Sequence, residues 1–451
     1  MMNIKSKIGL VLVLFILSSF VFIPPVSADG GIVIYDPDME FWGLQDMDQQ
    51  LCAINYENGF ENMLLSVDVS DLHGEKAVWI FPVPAKPDKT VIDIIKGFPR
   101  LLWGYDVKEK TDDAVSIAFS VMRMSQVYTF PFMLFSRYTS MGIGIEEGIT
   151  IYEHIEKMGL TTELVTAEDG SAFYNYLTNK DLDLPSGLKS ILEDYIGKEY
   201  SFVVSWISDV EKFKQESAIR DRYGRTINVV GVSISFPTDE IYFPLKPTSV
   251  YGSQKIPILI YVMDHVTPKL YLEIKNYVQV NYFIDKYYYV PKELSPFFNG
   301  KKEIENLNYT KIKIDAPSRY LTEDLWIKDS APADVVLADF IKRSVWLWGI
   351  IFFILSSCLA SMFAGVIAFR KDQPSKKKFA LFGLWNFLTL IGFWIASLFL
   401  RTKKLKPELE QQLKSQGIVV WDNRKILFVF LFTVFFLVIT FVFQIVLQSI
   451  F

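Results

Sequence analysis

Histidine and cysteine are scarce, with three His and two Cys among 451 residues. His73, His154 and His265 lie far apart, with neither the H-E-x-x-H spacing nor a Cys/His cluster that a zinc site needs. Cys52 and Cys358 occur in separate apolar runs, so no intrachain disulfide framework is expected, and each reads as core packing. A G-x-S-x-G nucleophile elbow and a Walker loop are also missing. The glycines of "GIGIEEG" at Gly142 have the wrong third-glycine spacing for dinucleotide binding. No cofactor is expected from these patterns.

Charge is missing from long stretches. Residues 1–28 begin with Lys5 and Lys7, continue through an uncharged apolar run from Ile8 to Ile23, and end in the small residues Ser27 and Ala28. This is the pattern of a cleaved signal peptide; an uncleaved anchor is the alternative. Three further runs, 345–369, 379–400 and 426–451, carry no charged side chain, and each is long enough to cross a bilayer. Without ionisable groups inside them, a pump or ion relay is disfavoured.

What remains is acidic. Between residues 29 and 341, Asp and Glu outnumber Lys and Arg by 47 to 30, whereas after residue 341 the basic residues lead by 14 to four. A nucleic-acid partner is therefore not expected. The pattern from Gly31 onward is strand-rich. Asn58-Gly59 between two β-like runs signals a hairpin, because a tight turn needs positive φ. In "AVWIF" both alternating faces are apolar, Trp79 and Phe81 on one and Val78 and Ile80 on the other, which predicts a strand covered on both sides. Pro82 and Pro84 remove ladder donors, so the strand is expected to peel away at Pro82.

After it, "TVIDIIKGFPRLLWG" reads as a short helix, and the apolar stretch from Asp113 to Tyr138 as either core helices or an amphipathic insertion at the membrane face. Strands are expected in residues 148–168, 199–208, 226–236 and 255–264, and two short helices in residues 170–180 and 185–198. The mixture predicts an α+β extracytoplasmic domain, 29–341, followed by a membrane region, 342–451, with a C-terminal bundle of three transmembrane helices.

Candidate chemistry is sparse. Asp36, Asp38 and Glu40 alternate as hard oxygen ligands for calcium could, with Asp46 and Asp48 close behind. The glycine and terminal glutamate that close a calcium loop are missing, and a solvated acidic loop is the competing reading. Asp181 and Asp183 are a carboxylate pair of the kind used in acid/base hydrolysis, though an acidic domain contains many such pairs by chance. Asn308-Tyr309-Thr310 is a glycosylation sequon.

The stretches "QQLCAINYENG" with "ENMLLSVDV", "AVWIFPVPAKP", "LVTAEDGSAFYNYLTNKDLDLP" with "YIGKEYSFVVSWI", and "GVSISFPTDEIYFPLKPTSV" closing with "SRYLTEDLWI" resemble, in this order, domain-of-unknown-function family 2330. That is a family of exported prokaryotic proteins. The resemblance covers most of residues 30–330 and implies an exported location and a fold neighbourhood, but no reaction. Where family members often carry Cys after the signal, this chain has Asp29.

Within the membrane region, Ser357, Ser361 and Gly365 recur every four residues beside Ala360, Ala364 and Ala368. Such a small-residue face suits close helix approach, and hence self-association or a protein partner. Gly392 and Ala396 lie on the second segment, and Thr433, Thr440 and Gln444 form a polar stripe on the third.

Export of residues 29–341 puts the basic run 370–378 in the cytoplasm. A full crossing by 379–400 then puts 401–425, with seven Lys plus Arg, outside, against the positive-inside bias. A re-entrant hairpin removes that conflict, but lipid-exposed turns leave backbone groups unpaired, so the full crossing is the expectation. The expected role is a multi-pass cell-membrane protein with a large outward-facing binding or envelope-interaction domain, within a membrane complex in one form of this reading. A carboxylate-based extracytoplasmic hydrolase is the alternative.

Overall fold

Asn58 and Gly59, both at positive φ, close a two-residue hairpin between strands Gln50–Glu57 and Phe60–Val67, as their sequence demands. This hairpin belongs to a computed structural model that describes residues 31–36, 41–44, 50–67, 77–99, 101, 104–124, 126, 155–180, 182, 184–216, 218–220, 226–228, 230–369, 376–399, 415 and 423–450. The chain divides into two units. The first comprises Met1–Leu102, Glu146–Asn281 and Lys286–Ser330; the second comprises Trp103–Ile145, Tyr282–Asp285 and Ala331–Phe451.

In the first unit, one sheet runs in the order Phe41–Leu44, Gly31–Asp36, Ala77–Val83, Ser201–Ile207, Leu160–Val165, Ile155–Lys157. Trp79 and Phe81 face a core shared with a larger sheet, in which Val91–Lys96, Val230–Pro237, Phe60–Val67, Gln50–Glu57, Ile258–Met263 and Glu303–Ile314 follow one another. Val78 and Ile80 face the opposite way and pack with Phe202 and Val204 under helices Gly170–Thr178 and Ser186–Leu192. The expected two-sided burial of "AVWIF" is therefore present, in a helix–sheet–sheet stack.

Two local expectations are corrected. The strand does not leave the sheet at Pro82 but continues to Val83, pairing with Ser201 and Phe202 on one side. Among the described residues its other neighbour, Gly31–Asp36, pairs with it from Ala77 to Ile80. Val91–Lys96 is a strand and not a helix. Ile92 and Ile94 alternate inward and the segment pairs with residues 230–235, so β-branched side chains on a half-buried surface outweigh the helix reading.

In the second unit, two helices among the described residues are long and apolar enough to cross a membrane, Val345–Ala368 and the stretch from Arg424 to Gln448. They run antiparallel, with Phe352 beside Phe443 and Phe369 beside Phe428. The expectation of three such helices is corrected, because the middle segment is broken into Lys376–Phe382, a 3₁₀ turn Gly383–Leu388 and Thr389–Leu398.

Contacts show that this segment doubles back. Phe379 stacks on Phe369, at the end of the first long helix. The turn reaches that helix's midpoint, where the Asn386 Nδ2 donates to Ser357 Oγ at 3.0 Å. Thr389–Leu398 then returns, with Phe393 stacked on Phe432 and the Leu398 carbonyl accepting from Lys425 Nζ at 2.7 Å. Both ends of the hairpin thus lie beside the same ends of the two long helices.

A further helix, Val107–Met124, belongs to this unit and overlaps the start of the ambiguous apolar stretch 113–138, of which 125 and 127–138 lie outside the described residues. Val115, Phe119 and Met122 join its aromatic core. Ser116 Oγ accepts from Gln444 and Gln448, which gives the polar stripe of the last helix a partner inside the chain. Gln126 Nε2 donates to Asn386 Oδ1 at 3.1 Å, so this helix meets the hairpin at its turn.

Candidate ligand-binding groove

Several distant stretches of the first unit surround an open groove of about 1240 Å³. Its walls come from the turn of the first hairpin, the connection after Ala77–Val83, residues 237–240, residues 269–271 and the entry to strand Leu325–Lys328. Four of these lie inside stretches that carry the family resemblance. The proline-rich connection thus helps to build a site although it holds no reactive group. Its prolines restrict φ and remove donors, while its carbonyls are taken up locally: Ser201 Oγ donates to Ala85 O at 2.6 Å and Thr90 Oγ1 to Lys86 O at 2.9 Å.

Asp324 is the most organised polar group of the groove. Tyr195 donates its hydroxyl to the carboxylate at 2.9 Å, Tyr242 does so at 3.0 Å, and the Lys246 backbone N–H donates at 3.0 Å. Burial pushes the Asp324 carboxyl up from its ordinary range, and these three donors pull against that shift. Aromatic packing keeps the tyrosines in place: Tyr242 lies against Trp326 with ring centroids 5.0 Å apart, and Tyr195 against Tyr200 at 5.2 Å.

Two lysines of the lining are already paired, Lys86 with Glu199 at 2.9 Å and Lys269 with Glu240. The Tyr56 phenol is pushed up by burial and then by carboxylates that include Asp239 and Glu240; burial does the same to Tyr271, with Glu323 and Asp324 adding to it. The aromatic walls therefore stand in a negative field.

Glu61 is a buried carboxylate of the same unit. It is fully enclosed, its Oε2 accepts the Tyr242 backbone N–H at 2.7 Å, and its Oε1 has no partner among the described residues. Burial pushes it well above the usual carboxylate range. It does not line the groove, so Glu61 and Asp324 do not form a catalytic pair facing one substrate.

The sequence-derived candidates lie elsewhere. Asp36 ends strand Gly31–Asp36, while Asp38, Glu40, Asp46, Asp48, Asp181, Asp183, His73, His154 and the Gly142 motif fall outside the described residues. His265 and Asn308 are described; the His265 N–H donates to Asp264 Oδ1, and the Asn308 amide is 3.5 Å from the same oxygen. Cys52 is buried in the core. Among the described residues no group of three His, Cys, Asp or Glu could hold a metal ion.

Tyr56, Tyr271, Asp324 and Trp326 were missed from sequence, because only the fold brings them together. No family model matches the chain, and neither a curated protein nor a solved structure matches it.

Proposed function

We propose that this protein is a membrane-anchored, extracytoplasmic binding or envelope-interaction protein whose ligand occupies the groove around Asp324. The observation that carries the reading is the groove itself: open, walled by aromatic rings and floored by a carboxylate held by three donors. A hydrolase of the two-carboxylate kind needs a second carboxylate facing the same substrate from a suitable distance. Asp239 and Glu323 also line the groove, but the Asp324 carboxylate is already taken up by three donors and Glu61 by the Tyr242 backbone, which favours binding over turnover. Family 2330 remains the resemblance that fits the exported location.

The two long apolar helices support membrane anchoring. With the signal removed at Ala28 and the large domain outside, the doubled-back middle segment gives a consistent topology. Both basic stretches, 370–378 and 401–425, lie in the cytoplasm, as the positive-inside bias asks, and the last helix runs outward. The small-residue face is less suited to a partner than its spacing implied. Ser357, Ala360, Ser361 and Ala364 are buried, and a side chain at Gly365 would meet the Phe379 ring at 2.4 Å. A protein partner or second copy would instead use the lipid-exposed flanks of the long helices.

The test is sedimentation of the full chain, in lipid nanodiscs, with isolated cell-envelope material. Binding that falls at least tenfold in Trp326→Ala and Tyr271→Ala variants of unchanged melting temperature, without release of product, supports the reading. Product release abolished by Asp324→Asn would establish the hydrolase instead.

A further inference from the structure

Which chemical group the groove receives can be argued from the balance of its walls. Of the lining lysines, Lys86 and Lys269 are neutralised by Glu199 and Glu240. Asp239 and Glu323 form no ion pair with a lysine or arginine among the described residues, and Asp324 feels only the Lys246 ammonium, which is itself paired with Asp194; against these stands Lys89. The carboxylates sit beside aromatic rings, Asp239 near Tyr56 and Glu323 and Asp324 near Tyr271, with Trp326 two residues beyond Asp324.

Elsewhere in the protein such rings already hold a cation. Lys180 lies over Trp206 at 4.9 Å, Lys189 over Tyr174 at 5.5 Å and Lys342 over Tyr105 at 4.7 Å. No lysine or arginine lies over Tyr56, Tyr271 or Trp326 among the described residues. The groove therefore combines ring faces not occupied by the protein's own cations with a surplus of fixed negative charge.

A neutral sugar would gain from the rings but has no need of that surplus. An anion would meet it directly. An organic cation uses both features, because a ring face attracts an ammonium through its quadrupole, and a carboxylate already oriented by three donors need not reorganise to receive it. We infer that the groove binds its ligand through an alkylammonium group, seated between the Trp326 and Tyr271 rings and the Asp324 carboxylate. Asp324 supplies the charge and the rings exclude water. Lys89, in the same lining and without an ion pair among the described residues, leaves room for an anionic group farther along the same ligand.

This inference rests on the groove being the binding site, and the experiment separates the two. The full chain in nanodiscs is titrated with choline and with its neutral isostere 3,3-dimethylbutan-1-ol, followed by ligand-observed saturation transfer and by tryptophan fluorescence. Choline is expected to bind at least tenfold more tightly than the isostere. Asp324→Asn should weaken choline at least tenfold while leaving the weak isostere signal unchanged, and Trp326→Ala should weaken both probes, each variant being shown folded by an unchanged circular-dichroism spectrum at the titration temperature. Raising NaCl should weaken choline far less than Asp324→Asn does, because the contact is partly desolvated.

Equal binding of both probes, with loss of both in Trp326→Ala, would keep the groove as a site and overturn the ammonium assignment. Choline binding indifferent to both substitutions, or no binding of either probe at millimolar concentration, would overturn the assignment and the groove together.

Discussion

Glu61 and Asp324 hold opposite ends of one residue: Tyr242 donates its backbone N–H to Glu61 Oε2 at 2.7 Å and its hydroxyl to Asp324 Oδ2 at 3.0 Å. Glu61 belongs to strand Phe60–Val67 and Asp324 to the entry of Leu325–Lys328, so Tyr242 ties the larger sheet to the small sheet of Ile241–Phe243, Leu325–Lys328 and Thr267–Pro268. Glu61 acts on the groove only by positioning. Its burial stabilises nothing by itself, because an enclosed carboxylate is costly unless it is protonated or paired.

Stability should therefore depend on pH through Glu61. Its folded-state pKa is raised above the unfolded value, so the folded form holds an extra proton between the two, and stability falls as pH rises through that interval. Glu61→Gln keeps the acceptor for the Tyr242 N–H and removes the titration. Urea unfolding of the full chain in detergent, followed by tryptophan fluorescence from about pH 5 to about pH 8, should show a flatter pH dependence in the variant. Glu61→Leu also removes the titration but leaves the Tyr242 N–H unpaired, at a cost of about 1–3 kcal/mol. Equal pH slopes in wild type and Glu61→Gln would refute the role.

Tyr242→Phe leaves the backbone bond to Glu61 in place and deletes one of the three donors to Asp324. A single buried hydrogen bond to a charged group is worth about 1.5–3 kcal/mol, so the loss of stability should be in that range above neutral pH. It should shrink as pH falls and Asp324 protonates, since donors to the charged form hold its pKa down. A loss independent of pH would show that Asp324 is neutral in the folded protein.

Strand periodicity made "AVWIF" and its two faces legible, as Asn58-Gly59 made the hairpin legible, because in both places local chemistry and tertiary position agree. The groove was not legible. Tyr56, Tyr271 and Asp324 are each ordinary in their local sequence and acquire meaning only when remote loops meet. The broken middle segment was hidden for a different reason. Hydropathy reports that 379–400 is apolar but not whether Gly383 lets the backbone approach a neighbour, and that approach is a property of the pair.

Gly383 supplies a direct test. A Cβ built there would lie 2.3 Å from the Ser357 carbonyl oxygen, a backbone atom that cannot move aside as a side chain can. Gly383→Ala should displace the hairpin turn, break the Asn386–Ser357 hydrogen bond and lower stability by about 1–3 kcal/mol. Thermal unfolding in detergent would show it as a lowered midpoint. An unchanged midpoint would mean that the turn does not sit against the first long helix.

The proposed topology makes the sidedness of residues 401–425 testable. A straight crossing would carry them to the face opposite 370–378, with seven basic residues outside. The proposed topology puts both stretches on one face, because the described residues that flank them lie together, Phe379 beside Phe369 and Leu398 beside Lys425. The objection to a re-entrant turn is unpaired backbone and exposed polar groups in lipid. Here the turn is a 3₁₀ helix, its apolar Leu384, Trp385 and Phe387 are exposed, and its polar Asn386 is buried, donates to Ser357 and accepts from Gln126. In a chain lacking Cys52 and Cys358, cysteine placed at Ser415 should be labelled by a membrane-impermeant thiol reagent only after permeabilisation, whereas cysteine at Ser330 should be labelled in intact cells. Labelling of both positions in intact cells would restore the third crossing and move Phe451 to the cytoplasmic face.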